Sequence, residues 1–198
     1  MSLLTGPEIE NYLACGDITI TPFTPENVGP NSVDLCLHSE LKAYTLAQGY
    51  LNADSDNSTY QIPLEDDGTF LLKPGILYLG RTVEKIGSNR FVPIVEGRSS
   101  IGRLGCQVHM TAGVGDLGFL GTITLEIAVM HPLKIRPFSR ICQALWLTTQ
   151  GVPRLYKGRY QGQVEATPSR FSWAGYMPSQ SPTVIPDPKL NQDLDDES

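Results

Sequence analysis

Apolar residues in this chain recur at intervals of two far more often than at three or four, which predicts strands rather than helices. Ile18-Thr-Ile-Thr-Pro-Phe23 and Val33-Asp-Leu-Cys-Leu37 alternate, and Leu41 to Leu46 continues the second run. Further strands are expected at Thr69 to Leu72, Ile76 to Arg81, Phe91 to Glu96, Gln107 to Met110, Gly121 to Met130, Leu133 to Ile135 and Ile141 to Thr148. The exception is the start. Thr5-Gly-Pro-Glu8 reads as a capping box, Ile9, Tyr12 and Leu13 follow at helical spacing, and Gly16 stops the helix. The Asp/Asn/Ser-rich stretch from Ala47 to Gly68 reads as a surface excursion or hairpin. Many short strands, one short helix and few helical turns argue for an all-β barrel or sandwich.

Composition narrows this picture without changing it. The 198 residues fit one domain at a prior of about 150 residues each, and 19 Gly with 15 Pro suit a turn-rich β fold. A net charge of −6 gives no footprint for duplex nucleic acid or an anionic membrane, so any phosphate must be held by a local basic site. No run reaches the roughly 18 apolar residues of a membrane span, and residues 1–13 lack the pattern of a signal peptide, which makes a cytoplasmic protein the expectation. Cys15, Cys36, Cys106 and Cys142 are too scattered for a zinc site or a disulfide framework. The globular domain is expected over 1–175. Over 176–198 prolines interrupt polar sequence, and Asp187 to Ser198 carries five acids against one lysine, which reads as a mobile acidic tail.

Three stretches carry candidate chemistry. In Val95-Glu-Gly-Arg-Ser-Ser-Ile-Gly-Arg-Leu-Gly105 a strand runs into a short turn whose N–H groups, serine hydroxyls and Arg98 suit an anion; a capped turn with surface ion pairs is the alternative. In His109 to Glu126, Asp116 sits in a glycine-rich turn where it can accept from a sugar hydroxyl, and Phe119 can pack beneath a ring. Alternation over Ile123 to Val129 puts Thr124, Glu126 and Ala128 on one face, so Glu126 is either exposed to solvent or an inward carboxylate able to shuttle protons. Finally, Arg159-Tyr-Gln-Gly-Gln163 with Pro168-Ser-Arg170 can clamp a charged ligand or simply form a surface loop.

Taken in order, Glu96-Gly-Arg-Ser-Ser-x-x-Arg-Leu-Gly105, Val108-His-x-Thr-Ala112, Asp116-x-Gly-Phe-x-Gly121, Ile123-Thr-Leu-Glu126 and Tyr160-Gln-Gly-Gln163 resemble the dCTP deaminase family, including its bifunctional branch. Ile20-Thr-Pro-Phe23 and Gly29-Pro-Asn-Ser-Val-Asp-Leu35 resemble that family's N-terminal portion. The resemblance implies a dUTPase-like β-clip or distorted barrel, a homotrimer with sites between subunits, and zinc-free hydrolysis of dCTP to dUTP and ammonia. Zinc-dependent base deaminases need His-x-Glu followed by Pro-Cys-x-x-Cys; His38-Ser-Glu40 occurs here, but no Cys-x-x-Cys does.

Carried over by motif, Glu126 activates water for attack at C4 and protonates the leaving amine. Ser99 and the Ala112 carbonyl position that water, and Arg103 orients Glu126 and Ser99. Arg98, Ser100, Arg159 and Gln163 hold the triphosphate, with Mg²⁺ carried by the phosphates rather than by a protein cage. Asp116 receives the 3′-hydroxyl, Tyr156 closes on the nucleotide, and Thr124, Leu125 and Gln143 complete the binding set. Three departures bear on the outcome. Gly115-Asp-Leu-Gly118 replaces the usual Ile-Asp-Pro-Gly, Val114 stands where the bifunctional branch often has an aromatic, and both predict a looser turn; Cys142 replaces a common glycine. Gln143 and Ile123 to Ile127 favour the branch that continues to dUMP. Two other readings stay open, a dUTP diphosphatase without deaminase activity and a non-catalytic nucleotide-binding trimer. The first is disfavoured by Glu126 and Phe119, where dUTPases generally carry an apolar residue and a tyrosine.

Overall fold

Helix α1 (Gly6–Cys15) forms at the expected place but not by the expected cap: in the computed structural model, which describes residues 2–171, the Thr5 side chain makes no capping bond. Main-chain bonds start the helix instead, from Gly6 N–H to the Pro30 carbonyl at 2.7 Å and from Ile9 N–H to Thr5 at 2.9 Å. A Cβ at position 6 would lie 2.2 Å from the Gly29 carbonyl oxygen, so only glycine allows this seat. Gly16 ends the helix in the left-handed conformation.

Ten strands follow: β1 (Ile18–Thr21), β2 (Val33–Tyr44), β3 (Thr59–Gln61), β4 (Phe70–Leu72), β5 (Tyr78–Ser88), β6 (Phe91–Gly97), β7 (Cys106–Gln107), β8 (Leu120–Val129), β9 (Leu133–Ile135) and β10 (Arg140–Thr148). Between β6 and β7 lies a single helical turn, α2 (Ser99–Gly102), and a 3-10 turn spans Pro25–Asn27. The main antiparallel sheet runs β6-β10-β2-β5-β8-β7, with β1 on β5 and β3 on β2, while β4 and β9 form a separate pair. It is a barrel-like, nearly closed sheet, as the alternation requires. The acidic tail expected over 176–198 lies outside the described residues.

One face of the long strands supplies the core: Leu35, Leu37, Leu41, Ile86, Leu125, Ile127 and Trp146 are all fully buried. Trp146 alone removes roughly 200 Å² from water, worth about 5 kcal/mol. Its buried indole N–H finds no acceptor, which takes back about 1–3 kcal/mol.

Strand β5 runs seven residues beyond the expected Arg81. Its register against β8 slips between Arg81 and Lys85, so polar side chains bridge the gap in the ladder. Thr82 Oγ1 accepts from Ile123 N–H at 2.9 Å and donates to the Glu84 carbonyl at 2.7 Å, and Glu84 Oε2 accepts from Cys36 N–H at 3.0 Å. Without these contacts the buried groups of the bulge would stand unpaired.

Candidate active site

The outer face of β2, β5 and β8 is as ordered as the core face. Cross-strand register places Lys42, Leu79 and Glu126 in one row, with Arg81 and Thr124 paired in the next. Along β8 the core takes Leu125, Ile127 and Val129 and leaves Thr124 and Glu126 half-buried on the other side. A cleft of about 600 Å³ opens over these rows. Sheet residues Tyr44, Leu79, Thr124 and Glu126 form its floor, the 110–119 segment one wall, and Tyr156, Tyr160, Gln163 and Thr167 the other.

Within the cleft, Glu126 Oε2 accepts from Met110 N–H at 2.9 Å. That bond fixes one of the two carboxylate oxygens. Ala112 lies on the adjoining wall and Asp116 at its far end. Phe119 and Tyr156 meet edge to face, with centroids 6.0 Å apart, so an aromatic corner closes the site. Gln163 uses its Nε2 on the Thr122 carbonyl at 2.7 Å, and its Oε1 is buried without a partner. A lone acceptor cannot hold a phosphate oxygen. The free acceptor suits a hydrogen-bond donor.

None of the other expected residues lines the cleft, and those on α2 and β10 lie together outside it. Ser99 and Ser100 are exposed in α2, and Arg103 is exposed at its end. Arg98 begins the turn with its Nε 3.0 Å from Asp34 Oδ1 and its Nη1 donating to the Arg140 carbonyl at 3.2 Å, the ion-paired alternative allowed by the sequence. Gln143 is close by on β10, accepting from Ser32 Oγ at 2.9 Å and donating to the Gly97 carbonyl at 3.4 Å. The Leu125 side chain is fully buried in the core, which leaves only its main chain to meet a ligand. Arg159 and Arg170 clasp each other's carbonyls on the surface.

The turn before β8 is tied down rather than loose. Val95 N–H donates to the Gly113 carbonyl at 2.7 Å, Gly115 N–H to Pro93 at 2.8 Å, Gly118 N–H to Ser88 at 2.7 Å, and Tyr156 N–H to Leu117 at 2.7 Å. These bonds need no particular side chain at 114 or 117, which is why the departures do not slacken the turn. A Cβ at 113 would come within 2.8 Å of the Val95 carbonyl oxygen, so the close approach depends on that glycine. Tyr44, Leu79 and Thr167 were not singled out from the sequence, although Tyr44 and Leu79 sit in runs already read as strands. Among the described residues no group of three or more His, Cys, Asp or Glu side chains could hold a metal ion.

A family model described as dCTP deaminase-like matches residues 3–148. The chain is 43% identical over 168 residues to a protein named dCTP deaminase, dUMP-forming, from Hathewaya histolytica, covering 84% of this chain and 95% of that one. Proteins of the same name from Cytophaga hutchinsonii and Leptospira biflexa are each 44% identical over 168 residues, covering 84% of this chain and 95% and 94% of theirs. The fold is similar to the crystal structure of a 2′-deoxycytidine 5′-triphosphate deaminase from Agrobacterium tumefaciens, with a TM-score of 0.57 and 18% identity over 74% of this chain. The match spans about half, 48%, of that longer chain.

Proposed function

The chain belongs to the dCTP deaminase family, and we propose that its cleft removes the 4-amino group of dCTP and carries the dUTP formed on to dUMP and pyrophosphate. The observation that carries the reading is Glu126, a half-buried carboxylate with one oxygen fixed by Met110 N–H and the other facing the cleft. Glu126 takes a proton from water as the water oxygen bonds to C4. It returns that proton to the amine, which leaves as ammonia, and the remaining hydroxyl proton passes to N3 as the C4 carbonyl forms. Gln163 Oε1, buried and unpartnered, offers an acceptor to the amino group. Asp116 receives the 3′-hydroxyl at the far end, and Phe119 with Tyr156 packs against the sugar and base. In the second step a water attacks the α-phosphorus and pyrophosphate departs.

The roles of Ser99, Arg103, Ser100 and Arg98 call for a second subunit. Their turn is exposed outside the cleft of its own chain, and apolar Leu104 and Met130 beside it are 52% and 70% exposed. We read α2 as entering the cleft of a neighbour in a homotrimer, Ser99 and Arg103 completing the water site with Glu126, and Ser100 and Arg98 joining Arg159 on the triphosphate. Thr124 and Gln143 shape the two sides of that shared site. Mg²⁺ would arrive on the phosphates, as that ion usually does with nucleotide triphosphates. Four free thiols fit a reducing, cytoplasmic setting.

Incubation with dCTP and Mg²⁺, following ammonia, dUTP, dUMP and pyrophosphate, tests the chemistry. Ammonia with dUMP and pyrophosphate is expected, and dUTP accumulating without pyrophosphate overturns the second step. Mixing inactive Glu126→Gln and Ser99→Ala chains after denaturation and refolding tests the shared site. Random trimers should regain about a quarter of the parent activity if each site draws on two chains, and none if it does not.

A further inference from the structure

The segment that roofs the cleft is held from two sides, and only one of them is the β8 edge. On that edge Thr122 N–H donates to the Gln163 carbonyl at 3.0 Å and Thr167 N–H to Thr124 Oγ1 at 3.3 Å. On the other side, between Gln163 and Thr167, the chain passes over a compact set of charges on β2 and β5. Glu40 Oε2 accepts from Arg81 Nε at 2.9 Å and from Ala166 N–H at 3.4 Å, while Lys42 Nζ sits 2.7 Å from Glu40 Oε1 and 3.6 Å from Glu165 Oε2. Lys42 also donates to the Ala166 carbonyl at 3.4 Å. The three side chains are 14–18% exposed, and Ala166 is fully buried against them.

Such a cluster is more than the sheet needs. The outer face of β2 and β5 could be closed by apolar side chains, as Leu79 shows in the same row. A carboxylate between two cations is instead suited to grip a passing peptide group, because Glu40 takes its N–H and Lys42 its carbonyl. Burial works against the Glu40 charge, yet the Lys42 and Arg81 hydrogen bonds outweigh it and hold the carboxyl below its usual range. Lys42 lies in one row with Glu126, two strand spacings or about 10 Å away. Whatever fixes Ala166 therefore fixes Gln163 and Thr167 against the reacting end of the cleft.

We propose that Glu40, supported by Arg81 and Lys42, is a positioning residue that latches the 163–167 segment closed over the bound nucleotide. The inference rests on the nucleotide reading for its kinetic consequence, but the latch itself can be tested without a nucleotide. If Glu40→Gln lowers the closed fraction to one in ten, apparent affinity falls about tenfold, because only the closed form binds.

The test compares the parent, Glu40→Gln, Lys42→Met and Lys42→Arg by amide hydrogen exchange in the free protein and by dCTP kinetics. In Glu40→Gln and Lys42→Met, exchange of the 161–169 peptide should accelerate about tenfold while peptides covering β8 and β10 stay protected. KM for dCTP should rise at least fivefold with kcat changed less than threefold, and Lys42→Arg should keep the parent values. Unchanged exchange over 161–169, or acceleration equally shared with β8 and β10, overturns the latch. Loss of kcat without a rise in KM does so as well. A parent inert towards dCTP defeats the nucleotide reading alone, and the exchange comparison still decides the latch.

Discussion

Glu126→Gln is the sharpest perturbation of the site, because it separates proton transfer from scaffolding. The amide keeps an oxygen that can accept from Met110 N–H, which now meets Oε2 at 2.9 Å, so the 110–112 wall should stay in place. What is lost is a group that can take a proton from water and return it to the amine. General acid–base catalysis contributes about 10²–10⁴-fold, or roughly 3–5 kcal/mol of barrier, and a residue serving both transfers belongs at the upper end. Glu126→Ala removes the Met110 bond too. Met110 is 54% exposed, so water replaces that bond and the extra cost is at most about 1 kcal/mol. The two variants should therefore lose kcat to within tenfold of each other, both bind dCTP within about threefold of the parent by calorimetry, and both release ammonia at least a thousandfold more slowly. Retention of kcat within tenfold of the parent by Glu126→Gln refutes the proton-shuttle role. A hundredfold gap between Gln and Ala would mean that the carboxylate chiefly holds the wall.

Two further predictions concern the scaffold. Thr82→Val keeps shape but leaves Ile123 N–H buried without its 2.9 Å acceptor and the Glu84 carbonyl without its donor, so urea unfolding should show a loss of about 2–4 kcal/mol; a loss below 0.5 kcal/mol would mean that the bulge does not rely on the hydroxyl. Burial first, and the Arg81 charge second, hold His38 below 6.5, against the opposing pull of Glu40. The unfolded chain then binds a proton that the folded one refuses, so stability is full above pH 6.5 and declines as pH falls below it. Urea midpoints at pH 7.5 and 5.5 should show this decline in the parent and a smaller one in His38→Gln, whereas equal declines would contradict it.

Much of the site was legible because its residues lie on strands. Period-2 alternation alone put Thr124 and Glu126 on one face of β8 and the Leu125 side chain in the core. The helix was legible through Ile9 and Gly16, but the Thr5 cap was not formed, because main-chain contacts with the 29–30 turn satisfy the helix start first. Beyond Arg81, the charged Glu84 and Lys85 and a bulge disguise the second half of β5. The roof was illegible for another reason. Gln163 to Ser169 has neither period, and its conformation is set by partners more than 40 residues away, Thr122, Glu40 and Tyr44 among them.

The turn carrying Asp116 shows how main-chain bonds can hold a turn whose side chains depart from the expected ones. Side-chain bulk at 114 and a proline at 117 would be expected to hold such a turn by packing and by a fixed φ, and their absence suggested slack. Here the backbone does the holding: four main-chain bonds tie residues 113 to 118 to β6, to the end of β5 and to the segment at Tyr156. Leu117 is itself 9% exposed, packed where a proline would have to fit. Val114 is 66% exposed within its own chain, and the main-chain bonds that set the turn do not run through its side chain. On the proposed function, the second hydrolysis would depend on the position of Asp116, held by those bonds and by the Tyr156 main chain that binds Leu117. The pyrophosphate-releasing step should accordingly be more sensitive to substitutions that disturb the 153–158 segment than to any change of side chain at 114.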